Sequence, residues 1–232
     1  MPLSDITHEI YDISEHPVKH GGFSDVHTGF WRTSEGERKV AVKTYRSLSP
    51  LDAATRKQVQ RELSVSKLLY HPNINVTYGL YNGLGHGHLP SMVSHWSEQG
   101  CINDYLKARS SDPDVGIVKC NLMIQIVSGL SYLHDNGIIH GDIKGANVLI
   151  SDHGVARLSD FGLSKIIAEH SQTFTQDSAL KGTSRWMAPE LLMDASPRHT
   201  YATDIWACGC LFIEIQSGTV PYHTKVTDIQ VI

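Results

Sequence analysis

The stretch Asp204–Gln216 is apolar nearly all the way round a helical wheel, leaving no polar stripe to face water. A helix of that kind cannot lie on a surface; other elements have to wrap it. The chain of 232 residues is long enough to do so, and length alone allows one or two domains with a sizeable core. Hydrophobic residues make up 41% of the sequence, which excludes a disordered or fibrous chain. Lys and Arg number 20 against 24 Asp and Glu, for a formal net charge of -4. There is no basic stripe, so no nucleic-acid partner is expected, and no acidic tail. The 14 His would offset the negative charge in mildly acidic solution, which bears on solubility more than on activity.

Cysteine usage bounds the compartment. Cys101, Cys120, Cys208 and Cys210 form no CxxC pair and read as reduced, small apolar side chains. The expected location is the cytoplasm, with the nucleus as the other compartment. Met1–Glu15 is acidic and has no apolar run, so no secretory leader is expected. Nowhere do about 18 consecutive apolar residues occur, so no membrane span or membrane partner is expected.

The first ninety residues read as strands around one helix. Phe23–Trp31 and Arg38–Tyr45 are β-rich runs separated by the turn cluster Thr33-Ser34-Glu35-Gly36, which predicts a hairpin. Alternation places Ala41 and Lys43 on one face, and Val40 and Val42 on the other. Ser49-Pro50-Leu51-Asp52 has the chemistry of a helix start, predicting a helix to about Leu69 that ends at His71-Pro72-Asn73. Two further strands, Asn75–Tyr81 and Leu89–Ser94, are predicted on either side of a Gly/His loop. His86-Gly87-His88 in that loop reads as solvated, since no third metal ligand lies near it. From Cys101 the pattern turns helical: Ile117, Cys120, Ile124, Val127 and Leu130 recur at helical spacing, and Asn136-Gly137 supplies a stop. Short apolar runs follow at Ile138-Ile139, Val148–Ile150 and Val155–Leu158. A polar loop of roughly Ser164–Ser184 carries Ser171, Thr173, Thr175 and Ser178.

Four short motifs fall in order along this framework. Val40-Ala41-Val42-Lys43 sits on a predicted strand. His140-Gly141-Asp142-Ile143-Lys144-Gly145-Ala146-Asn147 follows a helix. Asp160-Phe161-Gly162 comes next, and Ala188-Pro189-Glu190 closes the polar loop. Taken singly, each has a bland reading as a surface lysine, a turn or a helix start. Their joint order and spacing resemble a eukaryotic protein kinase, and Gly182-Thr183-Ser184-Arg185-Trp186-Met187 resembles the tyrosine-kinase-like group, whose members mostly phosphorylate Ser or Thr.

The resemblance implies an α+β, two-lobed protein kinase fold. Residues 1–10 would be an N-terminal extension and 11–232 the kinase domain. Within it, the small lobe would run over about 11–94, the hinge over 95–97 and a partial large lobe over 98–232. It implies ATP and Mg²⁺ as cofactors in the cleft between lobes, and a protein Ser/Thr substrate. Phosphoryl transfer is mainly a matter of positioning and electrostatics, which explains the residue types. Lys43 would hold the α- and β-phosphates, paired with Glu62. Asp142 would accept the substrate hydroxyl proton, and Lys144 would neutralise the γ-phosphate. Asn147 and Asp160 would give Mg²⁺ the hard oxygens it prefers. Val26, Ala41 and Leu149 match the residues that sandwich the adenine, Ser94 the gatekeeper, and His95, Trp96 and Ser97 the hinge. His140 is expected to pack and hydrogen-bond.

The chain departs from the family at three places. The glycine pattern of the phosphate-covering loop falls on Lys19, Gly21 and Ser24, keeping only the middle glycine, although Gly22 and Phe23 still provide a tip. Ser24 should tolerate close backbone approach less well than Gly, and Lys19 would add charge near the nucleotide. Gly141 stands where an Arg usually precedes the catalytic Asp. The sequence reaches Ile232 just past the apolar helix, where the family's large lobe goes on, so a C-terminally truncated kinase is expected. Glu190 would then lack its family Arg partner, and Trp206, Leu211, Phe212 and Ile215 would face outward. A kinase-like interaction module that binds nucleotide weakly without transfer, a pseudokinase, is the competing reading.

Overall fold

The computed structural model describes residues 4–21, 24–45, 69–84, 90–161, 184–194, 197–225 and 227. The helix predicted to end near Leu69, with Glu62, lies outside them, as do Gly22, His86–His88 and the polar loop. The described chain falls into two compact units. One takes the residues up to Tyr70 together with Asn75–Trp96; the other takes His71–Ile74 and the residues from Ser97 onward.

The first unit is built on antiparallel strands β1 (Ile10–Tyr11), β2 (Lys19–His20), β3 (Ser24–Thr33), β4 (Gly36–Tyr45), β5 (Thr77–Tyr81) and β6 (Ser91–His95). Their order is β1-β3-β4-β6-β5, with β2 also pairing β3. The predicted hairpin is present, its register running from Thr33↔Gly36 to Ser24↔Tyr45. Gly36 holds φ +124, a conformation few other residues adopt. Thr33 fastens the turn, its hydroxyl donating to the Gly36 carbonyl and accepting from Glu35 N–H. Alternation sorts the faces as expected: Val40 and Val42 are fully buried and join Ile6, Ile10 and Val93 in the core.

Two of those core residues belong to the stretch expected to be an N-terminal extension. Ile6 N–H donates to Leu80 O and Leu80 N–H to Ser4 O, each at 2.9 Å, so residues 4–6 run parallel to the edge of β5. Gly79 permits the approach, since a Cβ there would lie 2.8 Å from Ser4 O. The segment is therefore part of the sheet unit and not an appendage to it. Sequence periodicity could not reveal this, because the contact spans about seventy residues.

The second unit contains α1 (Ile102–Ala108), α2 (Val115–Asp135), the strand pair β7 (Val148–Ile150) and β8 (Ala156–Leu158), α3 (Pro189–Met193) and α4 (Tyr201–Ser217). Asn136-Gly137 stops α2 as predicted. Gly137 is left-handed at φ +74, its N–H bonds His134 O and that of Ile138 bonds Leu133 O, each at 2.9 Å, which satisfies two terminal carbonyls. The buried stripe differs from the expected one. Leu122, Ile126, Gly129, Leu130 and Leu133 face inward, while Ile117, Cys120, Ile124 and Val127 are exposed, Ile124 by 68%. Both stripes satisfy a 3.6-residue period, so spacing alone does not choose between them. The choice is made by Gly129, where a Cβ would meet Asn73 O at 2.7 Å; this close approach turns that face towards Asn73 and Leu158. Among the described residues α2 is the one helix long and apolar enough, by length and composition, to cross a membrane; here its inner face packs on β8 and α4.

Helix α4 starts before the predicted Asp204 because Thr200 and Thr203 form a reciprocal capping box. Gly218 closes it in the left-handed region, its N–H bonding Glu214 O. The expected exposure is only partly met. Trp206 is exposed together with Ile205 and Ile213, but Leu211 and Ile215 are buried in the unit. All four cysteines are free. Cys208 and Cys210 are buried as small apolar groups, and burial near Asp204 pushes the Cys208 thiol up to about 12.

Candidate active site

The loop between α2 and β7 carries His140–Asn147, and two buried carboxylates on α4 hold it. Asp204, only 1% exposed, accepts His140 N–H at 2.8 Å on Oδ2 and Gly141 N–H at 2.9 Å on Oδ1. His134 Nε2 also lies 2.9 Å from Oδ2. Glu214 takes the N–H of Gly145 at 3.0 Å. Between these anchors Gly141 sits at φ +77. Glycine therefore has a backbone reason to stand there besides removing the family's Arg: an L side chain in that region costs about 1–2 kcal/mol.

The chemistry converges on Asp142. Lys144 Nζ lies 2.9 Å from Oδ1 and 2.8 Å from Oδ2. Asn147 Nδ2 donates at 2.7 Å both to Oδ2 and to the Asp142 carbonyl. Asp142 N–H donates to His140 Nδ1 at 3.3 Å. His140 itself is buried; desolvation holds its pKa below the ordinary value, and its ring meets Phe161 edge-on at 6.2 Å. It is a packing and hydrogen-bonding residue, as expected.

The β7–β8 hairpin then brings the proposed metal ligands to neighbouring chain positions. Asn147 directly precedes β7, and Asp160 follows β8 by two residues. Ser159 ties the two ends together, its N–H at 2.9 Å and its hydroxyl at 3.0 Å both donating to Asn147 O. Asp160 adopts φ +64, a strained conformation that gathers at functional sites. The donor set fits Mg²⁺: Asn147 spends its amide nitrogen on Asp142 and keeps its amide oxygen, and Asp160 offers a carboxylate, both hard ligands. Leu149 is half-buried on β7, paired with Arg157.

The nucleotide candidates of the first unit share one sheet face. Lys19 pairs with Val26, Val26 with Lys43, and Ala41 with Ser94. Directly paired residues project to the same side, and residues 41 and 43 are two apart, so all five side chains leave one face. Trp96 follows β6, with the Lys39 ammonium 5.3 Å from its ring centre. Gly21 N–H donates to Ser24 O at 2.7 Å. Ser24 is buried, and a Cβ on Gly21 would lie 3.2 Å from Ser24 Oγ, so Gly21 makes the room that Ser24 takes. Ser24 is not in the left-handed region, and the expected penalty for losing glycine there does not arise from its backbone angles.

Sequence reading missed Asp204, Glu214 and His134. The available signal was a carboxylate at each end of an otherwise apolar helix, since buried carboxylates need partners.

The Asp142 carboxylate gripped by Lys144 and Asn147, Asp160 and Phe161 after the β7–β8 hairpin, and Lys43 on β4 are described residues of the sequence motifs. Residues 14–231 match the protein kinase domain family, and the chain belongs to it. It is 34% identical over 211 residues to mitogen-activated protein kinase kinase kinase 3 of Arabidopsis thaliana, covering 88% of this chain and 31% of that protein. It is 35% identical over 178 residues to mitogen-activated protein kinase kinase kinase 5 of the same plant, covering 75% and 24%. Against cytokinesis protein sepH of Emericella nidulans it is 34% identical over 206 residues, covering 88% and 14%. The chain thus spans under a third of the length of these relatives.

Proposed function

We propose that this chain transfers the γ-phosphoryl group of ATP to Ser or Thr hydroxyls of protein substrates in signalling. The observation that carries the reading is the Asp142 carboxylate, held at 2.7–2.9 Å by Lys144 and Asn147 from within one short loop. Asp142 orients the hydroxyl and takes its proton. Lys144 stands where charge builds on the transferred group, and Lys43 holds the α- and β-phosphates. Asn147 and Asp160 would hold Mg²⁺, which would supply charge neutralisation to the phosphates. By the family resemblance, Val26, Ala41, Leu149, Ser94 and Trp96 would accommodate the base, Lys19, Gly21 and Gly22 would cover the phosphates, and Glu62 would pair with Lys43. Relatives named as kinases of kinase kinases support a substrate that is itself a protein kinase. The free thiols of Cys208 and Cys210 support a cytoplasmic or nuclear location.

The test is transfer of label from γ-labelled ATP to a generic protein substrate with Mg²⁺ present. The native chain should transfer label, and Asp142→Asn should lose about 10²–10⁴-fold. Nucleotide binding with no transfer, unchanged in Asp142→Asn, would favour the interaction-module reading.

A further inference from the structure

Glu214 is a buried carboxylate with a role the phosphoryl-transfer scheme leaves unassigned. It is 4% exposed and receives donors from three separate stretches of chain. Oε1 accepts from Asn103 Nδ2 on α1 at 2.7 Å. Oε2 accepts from the catalytic-loop Gly145 N–H at 3.0 Å and from Trp186 Nε1 at 2.9 Å. Trp186 lies in the short turn Ser184–Trp186, just after the polar loop and just before Ala188-Pro189-Glu190. The neighbouring Arg185 pins that turn from the other side, its guanidinium donating to the carbonyls of Pro221, Tyr222 and Lys225 at 3.0 Å.

We propose that Glu214 is a positioning residue that transmits the seating of Trp186 to the Lys144–Gly145 peptide, so that the turn Ser184–Trp186 sets the aim of Lys144. The inference rests on the kinase reading for its effect on rate. One carboxylate oxygen is shared by the Trp186 indole and the Gly145 amide, so withdrawing the indole changes the pull on the amide. That amide belongs to the peptide joining Gly145 to Lys144, whose ammonium grips Asp142. The contact is built for close approach: a Cβ on Gly145 would lie 2.7 Å from Glu214 Oε1 and 2.4 Å from Asn103 Oδ1. Hydrogen bonds to a charged group are worth about 1.5–3 kcal/mol, enough for a tenfold or larger change in rate if the aim of Lys144 depends on one.

Trp186→Phe keeps the ring and removes only the donor. It is expected to lower kcat about tenfold, leave KM for ATP unchanged, and shift the Gly145 amide resonance. Glu214→Leu should lower kcat further, and adding Trp186→Phe to it should cost nothing more, since residues acting as a unit are not additive. Glu214→Gln should restore most of the rate: its oxygen can serve Gly145 and Trp186, while the Asn103 amide turns over to accept from its nitrogen. An unmoved Gly145 resonance in Trp186→Phe, or losses that multiply in the double variant, would overturn the proposal. If Glu214→Leu does not fold, the Trp186→Phe and Glu214→Gln arms decide. If the native chain transfers no phosphate, the kinase reading fails, and the Gly145 resonance still tests the coupling on its own.

Discussion

The His140–Asn147 loop and the β2–β3 hairpin are both short turns, and they are held in different ways. The first hangs on two buried carboxylates of α4, which take the backbone N–H groups of His140, Gly141 and Gly145. Its geometry is thus written into a core helix, and two of the three anchored residues are glycines with no side chain to contribute. The second is held by backbone bonds, Val18 N–H to Val26 O at 2.8 Å and Gly21 N–H to Ser24 O at 2.7 Å within the hairpin and the β3–β4 pairing beside it. An exposed His20–Asp25 pair at 2.8 Å adds a contact that water and salt screen. A loop anchored in the core has one geometry and fails when the anchor goes. A turn held by backbone bonds keeps them whatever side chains stand at Lys19 and Ser24.

The strongest way to break this comparison is at Asp204. Asp204→Ala leaves two buried N–H groups without an acceptor, each costing about 1–3 kcal/mol. We expect about 3 kcal/mol lost in urea unfolding and at least a hundredfold loss of transfer. A variant that keeps near-native activity would mean that the catalytic loop is held by something other than α4.

The next effect falls at Gly141. Gly141→Ala should cost about 1–2 kcal/mol because of the left-handed backbone, lowering Tm by about 2–4 °C per kcal/mol. Without an Arg here, a loop phosphate lacks its usual charge-assisted partner. Replacing Ser171, Thr173, Thr175 and Ser178 together with Ala should therefore change the rate less than about tenfold, the low end of one such bond. A hundredfold loss on phosphatase treatment would assign that anchoring role to another cation.

How much of this could be read in advance follows the range of the interaction. The β3–β4 hairpin was legible because period-two alternation and a four-residue turn cluster are local. Motif order singled out Asp142, Lys144, Asn147 and Asp160, and the structure brings the first three into contact. The inward face of α2 was not, since Ile124 and Ile126 both fit a helical period and only the approach of Asn73 to Gly129 separates them. The same holds for Asp204, Glu214 and the residue 4–6 strap. Each depends on a partner more than sixty residues away, and a single sequence does not display such pairings.

Within the hairpin the expected effects are smaller. Ser24→Gly should alter KM for ATP less than about threefold, because Ser24 already has room beside Gly21 and the substitution removes no anchor. Gly21→Ala meets Ser24 Oγ at 3.2 Å and the Ser24 carbonyl at 3.3 Å, and should raise KM more. If Ser24→Gly instead tightens ATP strongly, the hairpin is strained by its serine and not self-accommodating.

The smallest effect concerns the strap on β5. The Asp5 carboxylate accepts from the Thr7 hydroxyl, from Thr7 N–H at 2.9 Å and from Asn82 Nδ2 at 2.9 Å. The Thr7 hydroxyl bond, first among these causes, lowers the pKa of Asp5 below its ordinary 3.8. A carboxyl depressed by folding contributes stability that is present above 3.8 and is lost as pH falls through the lower, folded value. Asp5 is exposed, so the contribution is small, about 0.5 kcal/mol or less. A carboxyl-carbon NMR titration should place the Asp5 midpoint below 3.8, and Asp5→Asn should lower Tm by about 1–2 °C at pH 7. That difference should shrink as pH falls below 3.8 and vanish once pH lies below the folded-state midpoint. A midpoint at or above 3.8 would mean that the strap is held by Ile6 in the core and by its bonds to Leu80, with Asp5 contributing nothing.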